Sequence, residues 1–166
     1  MNGKAFVFIN YWQAAHCGHL GWGFMLDESD RYFFGSTDHL LRTPYWDLVS
    51  LYKYMRVPPQ SPTDWWARKG TLDEMLHDMQ HGHHVQYEAF KVIDTAEAEP
   101  LSAQAAAEQT GTCGWAVLDN NCLHQTHSII AAYGAGADLP DHSAPLMHRI
   151  PRFWFDKIAA QRHWLR

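Results

Sequence analysis

The segment LDNNCLHQTHSIIAAYG, residues 118–134, sets a cysteine directly after two asparagines and ahead of a helical apolar pattern. A thiol placed there serves as a nucleophile at the mouth of a helix, as a metal ligand, or as a small residue buried in a core. Asn120 or Asn121 can accept from the first-turn N–H groups and start a helix at about Cys122. The positive end of that helix stabilises a thiolate, which is how a cysteine pKa falls from about 8.5 into a reactive range. A nucleophile also needs a base.

With twelve histidines in the chain, finding one somewhere carries no information, but His19 is distinguished by its strand. In GHLGWGFML, residues 18–26, Leu20, Trp22, Phe24 and Leu26 fall on one face and His19, Gly21, Gly23 and Met25 on the other. The two glycines either open the backbone to a substrate or let a bulky neighbour pack close. DESD (27–30) reads as a four-residue loop and RYFFGSTDH (31–39) as the returning strand of a β-hairpin. Pairing Leu26 with Arg31 sets Phe24 against Phe33 and Trp22 against Gly35. It also brings Asp38 opposite His19, with Ser36 as the diagonal neighbour on the same face. Asp38 is then either a strand-end carboxylate in water or the acceptor that fixes the imidazole tautomer in a nucleophile, base and orienter set.

A second constellation is HDMQHGHH. His77 and His81, at i and i+4, share a helix face and could hold zinc or nickel with a third ligand from His83 or His84. No glutamate stands between them in the HExxH position, so metalloprotease chemistry is not indicated, and a solvated polar helix end explains the same residues. Cys17 and Cys113 could pair as a disulfide outside the cytoplasm.

The elements that must position these groups follow from periodicity and punctuation. AFVFI (5–9) is a buried strand ahead of the hairpin. Residues 40–70, rich in Pro, Trp and Tyr, read as an insertion covering part of the surface, with a short helix at 45–55. Thr71 and Glu74 form a capping box for a helix that stops at Gly82. Residues 83–93 alternate as a strand. Residues 100–111 form a helix with Ser102 as its N-cap and Gly111 as its stop. The Cys122 helix runs to Tyr133 and ends at Gly134, and residues from Pro151 to the end read as a last helix. The class is α+β.

A chain of 166 residues, 46% hydrophobic, fits a single domain with a continuous core. Its formal charge of -5, with scattered basic residues, argues against nucleic acid as a partner. No apolar run is long enough to cross a bilayer and no signal pattern opens the chain, so synthesis as a soluble cytoplasmic protein without stable membrane insertion is expected.

GHLGWGF on an early strand, followed about a hundred residues later by NNCLHQTHSIIAAYG on a helix, resembles the circularly permuted branch of the NlpC-type papain-like superfamily. That branch includes the lecithin:retinol acyltransferase-like enzymes, and in it the histidine strand precedes the cysteine helix, as here. The resemblance implies a papain-like domain with a small antiparallel sheet against the nucleophile helix, Cys122 as nucleophile and His19 as base. His124 matches a histidine two residues after the nucleophile that is not the general base. Where the acyltransferase-like proteins carry a second polar histidine on the next strand, this chain has FFGSTDH, which leaves Asp38, Ser36 and His39 as candidate orienters. The backbone N–H of Cys122, with that of Asn121 as a second donor, would bind the oxyanion. No cofactor or metal is called for. AYGAGADLP and IPRFWFDKI are also similar to small bacterial members of the superfamily, among them peptidoglycan amidase effectors delivered by type VI secretion. That likeness implies hydrolysis of an amide in the peptide part of peptidoglycan, export to the periplasm of a target cell by secretion machinery, and a cognate immunity protein in the producer. A lipid acyltransferase or phospholipase with the same Cys and His, or a non-enzymatic His-rich metal-binding module, are the alternatives.

Overall fold

The computed structural model describes residues 1–14, 16–38, 55–61, 63–82, 85–143 and 149–165. Its strands are β1 (Gly3–Asn10), β2 (His19–Asp27), β3 (Arg31–Thr37), β4 (Arg56–Val57), β5 (Trp65–Gly70), β6 (Ala89–Thr95), β7 (Trp115–Ala116) and β8 (Arg162–Trp164). The helices are α1 (Leu72–His81), α2 (Pro100–Thr110), α3 (Cys122–Ile130) and α4 (Pro151–Lys157). Six strands form one antiparallel sheet in the order β5-β3-β2-β1-β6-β8, and β4 pairs with β7 apart from it. The fold is α+β.

β1 is apolar at nearly every position because it lies in the middle of the sheet and both of its faces are covered. Ala5, Val7 and Ile9 join Leu20, Trp22 and Phe24 of β2 under α2, α3 and α4. Phe6 and Phe8 join Phe34 under Met75 and Met79 of α1. Alternation along the strands thus assigns each side chain to one of two cores, and the polar residues at the strand ends are left for the site.

The hairpin register is the expected one over its length: Phe24 faces Phe33 and Trp22 faces Gly35. At its tip Asp27, not Leu26, pairs with Arg31, through a register shift after Met25. The connection is correspondingly three residues long, with Asp30 left-handed at φ 55°, the usual way a three-residue hairpin loop absorbs an extra residue.

Four expectations need correction. The segment read as an insertion contributes β5 to the main sheet, paired with β3 from Tyr32–Gly70 to Thr37–Trp65; the helix expected at 45–55 falls mostly outside the described residues. The strand read at 83–93 begins at Ala89 and runs to Thr95. Ser102 lies inside α2, which is opened by Glu99 as N-cap and by Pro100. The final helix stops at Lys157, and the chain returns as β8 along β6. Two helix boundaries bear on the sequence: α1 has the full Thr71/Glu74 capping box and Gly82 at its end as expected, whereas α3 stops at Ile130, short of Tyr133, and is continued by a π turn, Ala131–Ala135, within which Gly134 breaks the helical backbone at φ 101°. A side chain at 134 would meet the Glu97 carbonyl, so glycine serves there on both counts.

Candidate active site

Cys122 is the first residue of α3, and the chain enters it through a tight reversal in which Ala116 and Asn120 exchange both backbone hydrogen bonds. Asn121 is the N-cap. Its Oδ1 accepts from Leu123 N–H at 2.9 Å and from His124 N–H at 3.4 Å, while its Nδ2 donates to the Val117 carbonyl at 2.7 Å. The cap therefore takes two first-turn donors and leaves the Cys122 N–H, at the positive end of the helix, without an intrahelical partner. The Asn121 N–H faces His124 Nδ1 at 3.4 Å, and the same nitrogen lies 3.0 Å from Asn121 Oδ1, so the His124 tautomer decides whether the Asn121 N–H is free for an oxyanion.

His19 opens β2 at the end of the sheet with its side chain 13% exposed. Its Nε2 lies 3.1 Å from Ser36 Oγ and 3.2 Å from Asp38 Oδ1. Two orienters left open by the sequence, Asp38 and Ser36, therefore share the same ring nitrogen; the third, His39, lies outside the described residues. With Nε2 so engaged, Nδ1 is the nitrogen left for Cys122, which lies close enough to raise the pKa of the ring. Burial, the largest single influence, disfavours the charged imidazole. The Cys122 sulfur as thiolate and the Asp38 carboxylate nevertheless outweigh it, and His19 is pushed up to about 10. Burial acts on Asp38 in the opposite sense, raising its carboxyl. Hydrogen bonds from His19, Ser36 and Trp66, with the charge of His19, hold it below the ordinary carboxylate range. The imidazole is thus held charged beside a carboxylate that is itself held as an anion.

Two supporting side chains carried no signal in the sequence. Trp66 Nε1 donates to Asp38 Oδ2 at 2.7 Å. Tyr87 donates to Ser36 Oγ at 2.6 Å and lies 3.2 Å from Asp38 Oδ1, and its ring stacks on His19 with centroids 6.0 Å apart. Trp66 sits on β5 directly opposite Ser36. Tyr87 is fixed by its own N–H on the Met79 carbonyl and by Glu88 N–H on the Ile9 carbonyl. A buried acid with every oxygen engaged is held as an anion and cannot turn away from the imidazole. Gly21 and Gly23 are explained by the same packing. A Cβ at 21 would come within 2.9 Å of Tyr87 Cζ, and one at 23 within 2.6 Å of Met75 Sδ. The glycines therefore admit bulky neighbours; they do not bare the backbone for a substrate.

The other histidines are arranged differently. His124 and His127 on α3 face His142, with ring centroids 5.3 Å and 4.1 Å away. Burial first, then the like charge His142 would carry, lowers His127 to about 4 and lowers His124 in the same direction. His77 and His81 lie 5.1 Å apart on α1; His83 and His84, the proposed third ligands, lie outside the described residues. Among the described residues no group of three metal-ligating side chains is assembled. Cys17 and Cys113 are both free and exposed, which corrects the disulfide considered from the sequence.

Among known proteins, no family model, no curated protein and no solved structure matches this chain. Function must therefore be argued from the site.

Proposed function

We propose that the protein is a cysteine hydrolase with a papain-like arrangement of Cys122, His19 and Asp38. The observation that carries this is the single imidazole held between the cysteine at a helix N-terminus and a fully hydrogen-bonded buried aspartate. The thiolate attacks an acyl carbon, and the carbonyl electrons move to oxygen, which the Cys122 N–H stabilises. As the carbon–nitrogen bond breaks, His19 gives its proton to the leaving amine. It then takes a proton from the water that hydrolyses the thioester, and the carboxylic acid leaves. Asp38 keeps the ring in the orientation that both transfers need.

The substrate class is an amide in the peptide part of bacterial peptidoglycan. The order and wording of the two motifs, GHLGWGF before NNCLHQTHS, support it through their resemblance to permuted NlpC-type enzymes. Under this proposal the protein is exported to reach the wall, as an antibacterial effector, and the producer guards itself with an inhibitor protein. No helix among the described residues is long and apolar enough to cross a membrane.

Iodoacetamide alkylation followed by mass spectrometry, with Cys17 and Cys113 replaced by serine, tests the pair. Cys122 should react rapidly well below pH 8 in the parent, whereas in His19→Ala the reaction should need the ordinary thiol range near about 8.5. Purified peptidoglycan would then be scanned for newly released amines. A Cys122 indifferent to His19 would sink the proposal.

A further inference from the structure

The Asn121 N–H is the backbone donor next in the chain to that of Cys122, and whether it is free depends on one proton of His124. The carboxamide of Asn121 cannot be turned over, because its Nδ2 donates to the Val117 carbonyl at 2.7 Å while its Oδ1 accepts from Leu123 N–H at 2.9 Å and His124 N–H at 3.4 Å. Exchanging the two ends would set the NH2 group against two N–H groups and oxygen against oxygen. The atom 3.0 Å from His124 Nδ1 is therefore an acceptor, and only a protonated Nδ1 can donate to it. A bare Nδ1 would place lone pair against lone pair there, in return for a longer bond from the Asn121 N–H at 3.4 Å. Nε2 has no hydrogen-bond partner among the described residues that would draw the proton to the other side of the ring. The ring carries a single proton at neutral pH. Burial first, then the charges of His142 and Arg149, lower its pKa, with Asp119 pulling the other way.

We propose that His124 is a positioning residue of the oxyanion site: its Nδ1–H donates to Asn121 Oδ1, so the Asn121 N–H keeps no acceptor on the helix and joins the Cys122 N–H as the second donor to the oxyanion. The role rests on the hydrolytic proposal, because an oxyanion forms only if Cys122 attacks a carbonyl. The residue type at this position points the same way. The third helical residue is the place where a glutamate or glutamine side chain ordinarily accepts from the N-cap N–H and closes a capping box. The 3.4 Å contact closes such a box here only if Nδ1 is bare. A carboxylate at 124 would have no proton to give and would occupy the Asn121 N–H permanently. A neutral imidazole can take the opposite role, bracing the cap's oxygen instead of its N–H, and it adds no negative charge beside the thiolate. The cap oxygen then receives the Leu123 N–H, the His124 N–H and the His124 Nδ1–H, which fixes the entry to α3 without using a donor that the reaction needs.

Long-range proton–nitrogen NMR on the protein labelled at histidine tests the proton's place directly, with the His124 signals identified by their loss in His124→Gln. At neutral pH His124 should show a protonated, pyrrole-like Nδ1 and a bare, pyridine-like Nε2. The reverse pattern, or two averaged nitrogens, overturns the proposal whether or not the protein is an enzyme. His124→Glu tests the role. Its carboxylate should take the Asn121 N–H, leave the melting temperature equal or higher, and lower kcat on an amide substrate about 10²-fold with KM nearly unchanged. Alkylation of Cys122 by iodoacetamide forms no oxyanion, so any effect of the new charge on the thiolate is read there. The fall in kcat should exceed the fall in alkylation rate; an equal fall in both overturns the role. If the parent cleaves no amide, the hydrolytic proposal falls and the oxyanion role with it. Cleavage by the parent together with a proton on Nε2 defeats the His124 proposal alone.

Discussion

His127 lies on the cysteine helix and His19 on the strand beside it; both are largely shielded from solvent, and they are driven in opposite directions, one up to about 10 and the other down to about 4. Burial opposes the charged ring in both cases, so it cannot account for the difference. What differs is the company each keeps: Cys122 and Asp38 for His19, His142 and His124 for His127. A histidine count says little about function, because neighbouring charge can reverse the shift that burial alone would give, as it does at His19 and does not at His127. One ring is held ready to give a proton at neutral pH, and the other is held neutral within its cluster.

The largest effect should come from removing the charged member. His19→Ala is expected to lower kcat about 10³-fold while Cys122 remains folded in place, read by rate on the substrate and by a melt. Asp38→Asn removes the carboxylate that helps to raise His19. The ring should titrate well below about 10 in NMR, with kcat falling about 10²-fold. An unchanged titration would mean that Cys122 alone sets the shift. Tyr87→Phe keeps the ring against His19 but strips the hydroxyl from Ser36 and Asp38, a change worth about 1–2 kcal/mol of stability in urea and about tenfold in kcat.

The pH dependence of stability should separate the two histidines without any substrate. His19 gains its proton more readily folded than unfolded, so its contribution is complete below about 6.5 and is lost as pH rises through about 10. His127 resists protonation when folded, so its contribution is complete above about 6.5 and is lost as pH falls towards about 4. Urea midpoints measured across pH should therefore fall on both sides of neutrality. His127→Gln should flatten only the acid side, and His19→Gln only the alkaline side. The smallest change is expected from His142→Ala, which removes a like charge and should move the His127 titration upward with little effect on catalysis at neutral pH.

The part of the site carried by one hairpin was legible, because strand alternation and a fixed register place His19 against Asp38 and Ser36 whatever happens at the turn. The extra residue at Asp27 changed the loop but not that register. The helix start at Cys122 was equally readable from Asn121, since capping is a local interaction. Trp66 and Tyr87 were not, as their bonds to Asp38 span 28 and 49 residues and nothing in local periodicity encodes such a meeting. β5 was hidden by the prolines ahead of it, which made a sheet strand look like surface covering. β8, only three residues long, is too short to announce a period of two.

The Asn121 cap also bears on how long the protein keeps its function in storage. Deamidation would turn its carboxamide into a carboxylate, and aspartate caps a helix about as well as asparagine does. The helix would survive, but its side chain could no longer donate to the Val117 carbonyl, and a new negative charge would stand next to Cys122. An aged preparation could then melt like a fresh one while holding a growing fraction of molecules in which a carboxylate stands beside the proposed nucleophile. Intact fold would be no guarantee of intact chemistry.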